Sequence, residues 1–277
     1  LLEITRVLGD KEFRALKLSR CKNPIVSEFW RNAEQTTGDQ SLANFVPYIS
    51  SKFDDFISNE IMRPVVLQEK SAFNFRKVMD EKKILLVNLS KGRLGERNAN
   101  LIGLALVGKL QMAALSRADA PNPSELPPFY VYIDEFQNVV TDSIASILAE
   151  ARKYKLVLNI THQYLEQLPD YIRGAVFGNV GSMGVFRIKH EDAEFVEPRL
   201  QPNFTADDIV KLDNMNCYMS MLVNGKPSKA FNMKMDYAPQ GDPAKAAALK
   251  ELSYMKFGRD RTDVEEEIRQ KFLKARG

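Results

Sequence analysis

Side chains that make disulfides and metal sites are scarce in this chain of 277 residues. Cys21 and Cys217 are its only cysteines, and His162 and His190 its only histidines. Two cysteines so far apart in sequence make no disulfide framework, and a zinc site needs more ligands than these. A reduced, cytoplasmic setting is expected. Charge of one sign is also lacking. The 39 basic and 36 acidic residues leave a formal +3, and a nucleic-acid surface requires clustered charge rather than a faint average. Long apolar runs are absent too. The most apolar helical stretch, Leu101–Leu110, holds Lys109 and reads as too short to span a bilayer. No signal peptide is visible. The chain starts at Leu1 rather than Met, so a longer parent protein is expected, with any membrane anchor upstream.

What is present suffices for a sizeable core: 44% of residues are hydrophobic, enough for one domain or one and a half. Residues 1–82 lack strand alternation. Phe45, Ile49, Phe53, Phe56 and Ile57 recur at helical spacing, and Pro24, Gly38 and Pro64 suggest breaks between several short helices. The first 25 residues carry a mild basic bias, for which a solvated helix face is the plainer reading. From residue 83 to about 240 the pattern alternates. Ile84–Leu89 has strand length, a helix is predicted over 97–117, and Phe129–Ile133 reads as a second strand. A helix over 141–154 follows, then strands at Leu156–Ile160 and Met183–Ile188. Strands alternating with helices predict an α/β fold with a mostly parallel sheet covered on both faces. Residues 218–223 and 229–235 flank Asn224-Gly225, a hairpin turn signal. The tail, 241–277, reads as helical. Thr262 to Glu265 fits a capping box, with Val264, Ile268 and Phe272 one turn apart.

Tyr130-Val131-Tyr132-Ile133-Asp134-Glu135 is the strongest local signal. An apolar strand ending in two carboxylates delivers both to the C-terminal edge of a sheet, where ligands of open α/β folds bind. In a nucleotide hydrolase Asp134 would hold Mg²⁺ through water and Glu135 would activate the attacking water. An acidic helix start would look the same. The next helix ends in Arg152, and the next strand in Thr161-His162-Gln163. Arg152 can pair with phosphate, or simply serve the helix dipole; Gln163 can report a γ-phosphate, or cap a helix. A phosphate-cradling Gly-x-x-x-x-Gly-Lys-Ser/Thr is missing. Gly108-Lys109 precedes Leu110, Gly225-Lys226 precedes Pro227, and Gly178, Gly181 and Gly184 lead into a strand instead of out of one.

Three segments carry a family resemblance: Phe129-Tyr-Val-Tyr-Ile-Asp-Glu-Phe-Gln-Asn138, Ile147-Leu-Ala-Glu-Ala-Arg-Lys-Tyr154 and Ile160-Thr-His-Gln163. They resemble the HerA/FtsK superfamily of P-loop ATPases, and within it the TraD/TraG-type coupling proteins of conjugation and type IV secretion. The likeness extends through Gly178–Arg187, Asp192–Phe195, the Asn224-Gly225 hairpin, Leu252–Gly258 and Val264–Ile268, covering most of residues 84–275. It implies a RecA-like core over 83–240, a preceding segment that ends an all-α insertion, and a helical tail. It implies ATP and Mg²⁺ as ligands, both requiring a phosphate loop that the family places upstream of the insertion. It also implies a hexameric ring around single- or double-stranded DNA, with secretion-channel or relaxosome partners. Walker B would be Asp134 and Glu135, the arginine finger Arg152, and the γ-phosphate sensor Gln163. Arg187 is a weaker candidate for the finger. A HerA-like DNA end-processing translocase and a non-catalytic docking module stay open as alternatives.

Overall fold

The computed structural model describes residues 2–273, apart from the side chains at 2, 35–45, 54–56, 142–143, 145–146 and 272–273. Phe45, Phe56 and Phe272, expected on helix faces, therefore lie outside the described side chains. The chain is mixed α/β and divides into two compact units.

One unit comprises Leu1–Ala72, Ser90–Asn98 and Ala244–Gly277, and its elements among the described residues are all helices. Helices α1 (Leu2–Gly9) and α2 (Lys11–Ser19) lead to α3 (Pro24–Ser58), with Asn23 capping Ile25 N and Pro24 in the first turn. Pro fits there because its missing N–H has no partner to lose. α3 runs unbroken through Gly38, where a break between short helices was expected, and holds Pro47 in its interior. A mid-helix glycine costs only about 1 kcal/mol, and 35 residues of helix spread that cost. Arg14 is buried and donates to the carbonyls of Val7 and Leu8 at the end of α1, while pairing with Glu34 at 3.0 Å. After α4 (Met62–Val66) and α6 (Lys91–Leu94), the unit closes with α12 (Pro243–Phe257) and α13 (Arg261–Leu273). Val264 and Ile268 pack on Leu67, and Glu265 takes a two-pronged bond from Arg63. The α13 entry is capped by Asp260, which accepts from Thr262 N at 2.7 Å, rather than by the predicted Thr262–Glu265 box. Glu265 is committed to Arg63 instead.

The other unit comprises Phe73–Leu89 and Ala99–Pro243. Strands β1 (Phe129–Ile133) and β2 (Leu156–Ile160) pair in parallel with register Phe129↔Leu156 through Ile133↔Ile160. Both match the predicted ranges residue for residue. Phe129, Val131, Ile133, Leu156, Leu158 and Ile160 belong to a core shared with α5 (Phe75–Asp80), α7 (Glu96–Leu115), α8 (Asp142–Glu150) and α9 (Asp170–Asn179). Phe136, Ile144 and Ile172 sit at its centre, fully buried. A Cβ at Gly103 would stand 2.5 Å from a Val139 methyl, so only glycine lets α7 approach the turn after β1.

Two predicted parallel strands are not there. Ile84–Leu89 pairs with no strand among the described residues, and Ile84 is 88% exposed. A run of strand composition becomes a strand only where a neighbour offers its backbone. Met183–Val185 (β3) does pair, but antiparallel, with β4 (Asn216–Ser220), which also pairs with β7 (Phe231–Lys234). The hairpin segment supplied the nearer edge, so β3 leaves the parallel sheet. α10 (His190–Val196) and α11 (Ala206–Val210) cover this second sheet through Ala193, Val196 and Ile209, with Leu200 from the segment between them. The Asn224-Gly225 turn forms as read, with positive φ at both residues between the two-residue strands β5 (Leu222–Val223) and β6 (Lys226–Pro227).

The apolar stretch is longer than Leu101–Leu110: an 18-residue window within the 24-residue helical run Glu96–Asp119 has mean hydropathy 1.4, sufficient in length and composition to cross a membrane. The reason is that Met112-Ala-Ala-Leu115 extends the run past Lys109. Core helices meet the same criterion; here Ala113 and Ala114 are buried against protein, while 17% of that window as a whole is buried.

Phe136→Ala removes the ring at the centre of the core under β1 and β2. We expect it to lower the unfolding free energy by about 3–5 kcal/mol in chemical denaturation.

Candidate active site

Because β1 and β2 run parallel and in step, both leave the sheet at the same edge. The pairing continues beyond the strands: Thr161 N donates to Ile133 O at 3.0 Å and Phe136 N to Thr161 O at 2.9 Å. Between these bonds Glu135 turns into the left-handed region (φ 51°, ψ 48°), a conformation uncommon outside glycine. The buried Phe136 ring anchors the chain immediately after it. A strained corner locked on both sides presents consecutive carboxylates outward, the kind of backbone found at functional sites.

Three of the predicted site residues meet here. Asp134 Oδ1 accepts from Thr161 Oγ1 at 2.6 Å and from Glu135 N at 3.0 Å. Glu135 Oε1 accepts from Gln163 Nε2 at 2.6 Å, and Oε2 from Gln137 Nε2 at 2.5 Å. Asp134 is exposed, and its Oδ2 carries no hydrogen bond among the described residues. No group of three His, Cys, Asp or Glu side chains forms a cage among those residues. Mg²⁺ commonly takes one or two carboxylates, several waters and substrate phosphates, so the donor set at Asp134 fits that cation.

Thr161 and Gln137 had drawn no role from the sequence. A threonine after a strand and a glutamine in a turn are too common to stand out. Only the register brings them onto the acidic pair.

The two arginines lie elsewhere. Arg152 is exposed in a 3-10 turn, Ala151–Tyr154, that enters β2, so it sits at the opposite edge from Glu135. Five strand residues separate the two edges, on the order of 16 Å. Arg117, 1% exposed, secures this turn by donating to Tyr154 O and Lys155 O while pairing with Asp80 at 3.0 Å. Burial pulls its guanidinium below the ordinary arginine value, and Asp80 pulls it back. Arg187 follows β3 on the antiparallel sheet and donates to Asn214 Oδ1 at 2.8 Å, away from the β1–β2 edge.

His162 stands between Thr161 and Gln163. Its Nδ1 is buried without a partner among the described residues, and burial pushes the imidazole below its usual value, opposed by the Asp192 carboxylate. Asp192 in turn accepts from Leu165 N at 3.3 Å. Neither protein-family models nor curated proteins yield a match to this chain.

The His162 environment sets a pH dependence. The unfolded chain takes up this proton near pH 6.5 and the folded protein only at lower pH. Below about pH 6.5 the unfolded state therefore binds more protons, and stability falls with pH through that window. Wild type should lose more unfolding free energy than His162→Gln between about pH 7.5 and 5.5. Parallel losses in denaturant titrations would refute this account.

Proposed function

We propose that the Asp134–Glu135 corner is the hydrolytic half of an ATPase site, within a RecA-like core of a DNA-translocating motor of the coupling-protein type. The observation that carries the reading is the contact between Glu135 and Gln163 at the ends of adjacent parallel strands, beside an Asp134 fixed by Thr161. A base, a polar sensor and a cation-orienting carboxylate then lie within one hydrogen-bonded cluster.

In this reading Glu135 orients a water and takes its proton as the water oxygen bonds to the γ-phosphorus. The bond from that phosphorus to the bridging oxygen breaks, and ADP and phosphate leave. Asp134 would hold Mg²⁺, a cation that would supply charge neutralisation at the phosphates. Gln163 contacts the γ-phosphate. An upstream phosphate-binding loop completes the site, since this chain holds none. Arg152, exposed at the far edge, suits a phosphate on a neighbouring subunit better than its own, in keeping with a hexameric ring. Arg187, engaged by Asn214, is the poorer finger. DNA would pass through such a ring held by its phosphates, without sequence reading, at the cytoplasmic side of a secretion channel.

A second reading has one observation in its favour. The missing Gly-x-x-x-x-Gly-Lys-Ser/Thr suits a non-catalytic docking module that keeps the shape without the chemistry.

ATP turnover by the full-length protein, with and without DNA, separates the two. Wild type should hydrolyse ATP faster with DNA, and Glu135→Gln should lose roughly 100-fold or more in kcat, the share of a general base. Folded wild-type oligomers that show no turnover in the presence of DNA would favour the docking module.

A further inference from the structure

Glu135 is gripped from two sides. Gln163 reaches one carboxylate oxygen from the end of β2, and Gln137 reaches the other from the 3-10 turn Phe136–Val139. The two amides do not stand alike. Gln163 is exposed at the strand tip, where a phosphate can draw it off. Gln137 lies on the same turn as Glu135, two residues on, between the buried side chains of Phe136 and Val139. Asn138 N closes that turn onto Glu135 O at 3.0 Å.

We propose that Gln137 is the positioning residue of this site: it holds the Glu135 carboxylate plane while Gln163 exchanges between that carboxylate and the terminal phosphate of a bound nucleotide. The proposal rests on the ATPase reading above. A glutamate side chain held by a single hydrogen bond can still swing about its own torsions, whereas bonds to both oxygens fix its plane. When Gln163 transfers to phosphate, the bond from Gln137 is the one that remains. The base then stays aimed at the water during the step that needs it.

The other half of the Gln137 amide supports this. Its Oε1 is buried and has no donor among the described residues. A buried carbonyl without a donor is unfavourable, and such exceptions call for a reason. Turning the amide over would not relieve it, since the carbonyl would then face a carboxylate. The orientation is therefore set by Glu135, through a charge-assisted bond stronger than an ordinary one. A glutamine serving only the packing of its turn has no need to leave its carbonyl unmatched.

The test compares Gln137→Leu, Gln137→Glu and wild type in the full-length protein by steady-state ATP hydrolysis. Gln137→Leu should lower kcat on the order of tenfold to a hundredfold through misorientation of the base. KM should stay within about threefold, because the residue does not touch the nucleotide. Gln137→Glu keeps shape but faces Glu135 with like charge at pH 8. One of two such carboxyls holds its proton to higher pH, and a protonated carboxyl can donate again. Its kcat relative to wild type should therefore climb between pH 8 and pH 6. This arm stands even if Gln137→Leu fails to fold, and a purely structural role would not produce it. An active wild type beside a Gln137→Leu of unchanged kcat, or a Gln137→Glu deficit that does not vary with pH, overturns this proposal alone. A wild type without turnover sinks the ATPase reading and this proposal with it.

Discussion

The parallel register of β1 against β2 is the constraint on which the rest depends. Ile133 faces Ile160, and the ladder carries one bond further on each side, through Thr161 N and Phe136 N. That alignment sets Asp134 opposite Thr161 and brings Gln163 within reach of Glu135. Side chains alternate faces along a strand, so a slip of one residue would turn the apolar set of β2 away from the core and separate these pairs. The apolar core beneath the strands, centred on Phe136, Ile144 and Ile172, makes such a slip costly. Core packing and site geometry are thus one requirement, and a substitution that loosens the first should disturb the second.

The opposite edge of the two strands is held by different physics. There Arg117 is buried with Asp80 and two main-chain carbonyls, and Asp80 also takes Arg76. Buried ion pairs contribute little net stability, because desolvation offsets most of the attraction. Removing one partner is costly, however, so the pair specifies geometry more than it adds stability. What it specifies is the turn carrying Arg152. One edge gathers carboxylates and amides on a hydrogen-bonded corner; the other fixes an exposed cation on a clamped turn.

The parts legible in the sequence were those governed by local chemistry. Continuous apolar runs flanked by polar turns marked β1 and β2 to the residue, and the carboxylates followed from where β1 ends. Asn224-Gly225 announced its turn by the positive φ that both residues tolerate. The misreadings arose where long-range partners decide. Ile84–Leu89 and Met183–Val185 look alike as runs, yet one is unpaired among the described residues and the other joins a hairpin. Gly38 looked like a break, but a 35-residue helix absorbs it. Asp260 displaced Thr262 as the cap of α13. Gln137 and Thr161 became meaningful only once the register was known, because no local pattern distinguishes them from ordinary turn residues.

The two faces of the β1–β2 sheet bear on how far the RecA-like reading reaches. Parallel strands are usually covered on both faces and read as unbroken hydrophobic runs. β1 instead alternates, with Phe129, Val131 and Ile133 toward the core and Tyr130 and Tyr132 55% and 76% exposed. Tyrosine suits a face that meets water at its hydroxyl and still offers a ring for burial. Val157, Ile84 and Leu86 add apolar surface that is exposed in the same unit. A two-stranded pairing is marginal by itself, and here one covered face supports it. A RecA-like core requires further parallel strands beside β1 and β2. Among the described residues no third strand pairs with either of them, so the parallel sheet stops at two strands.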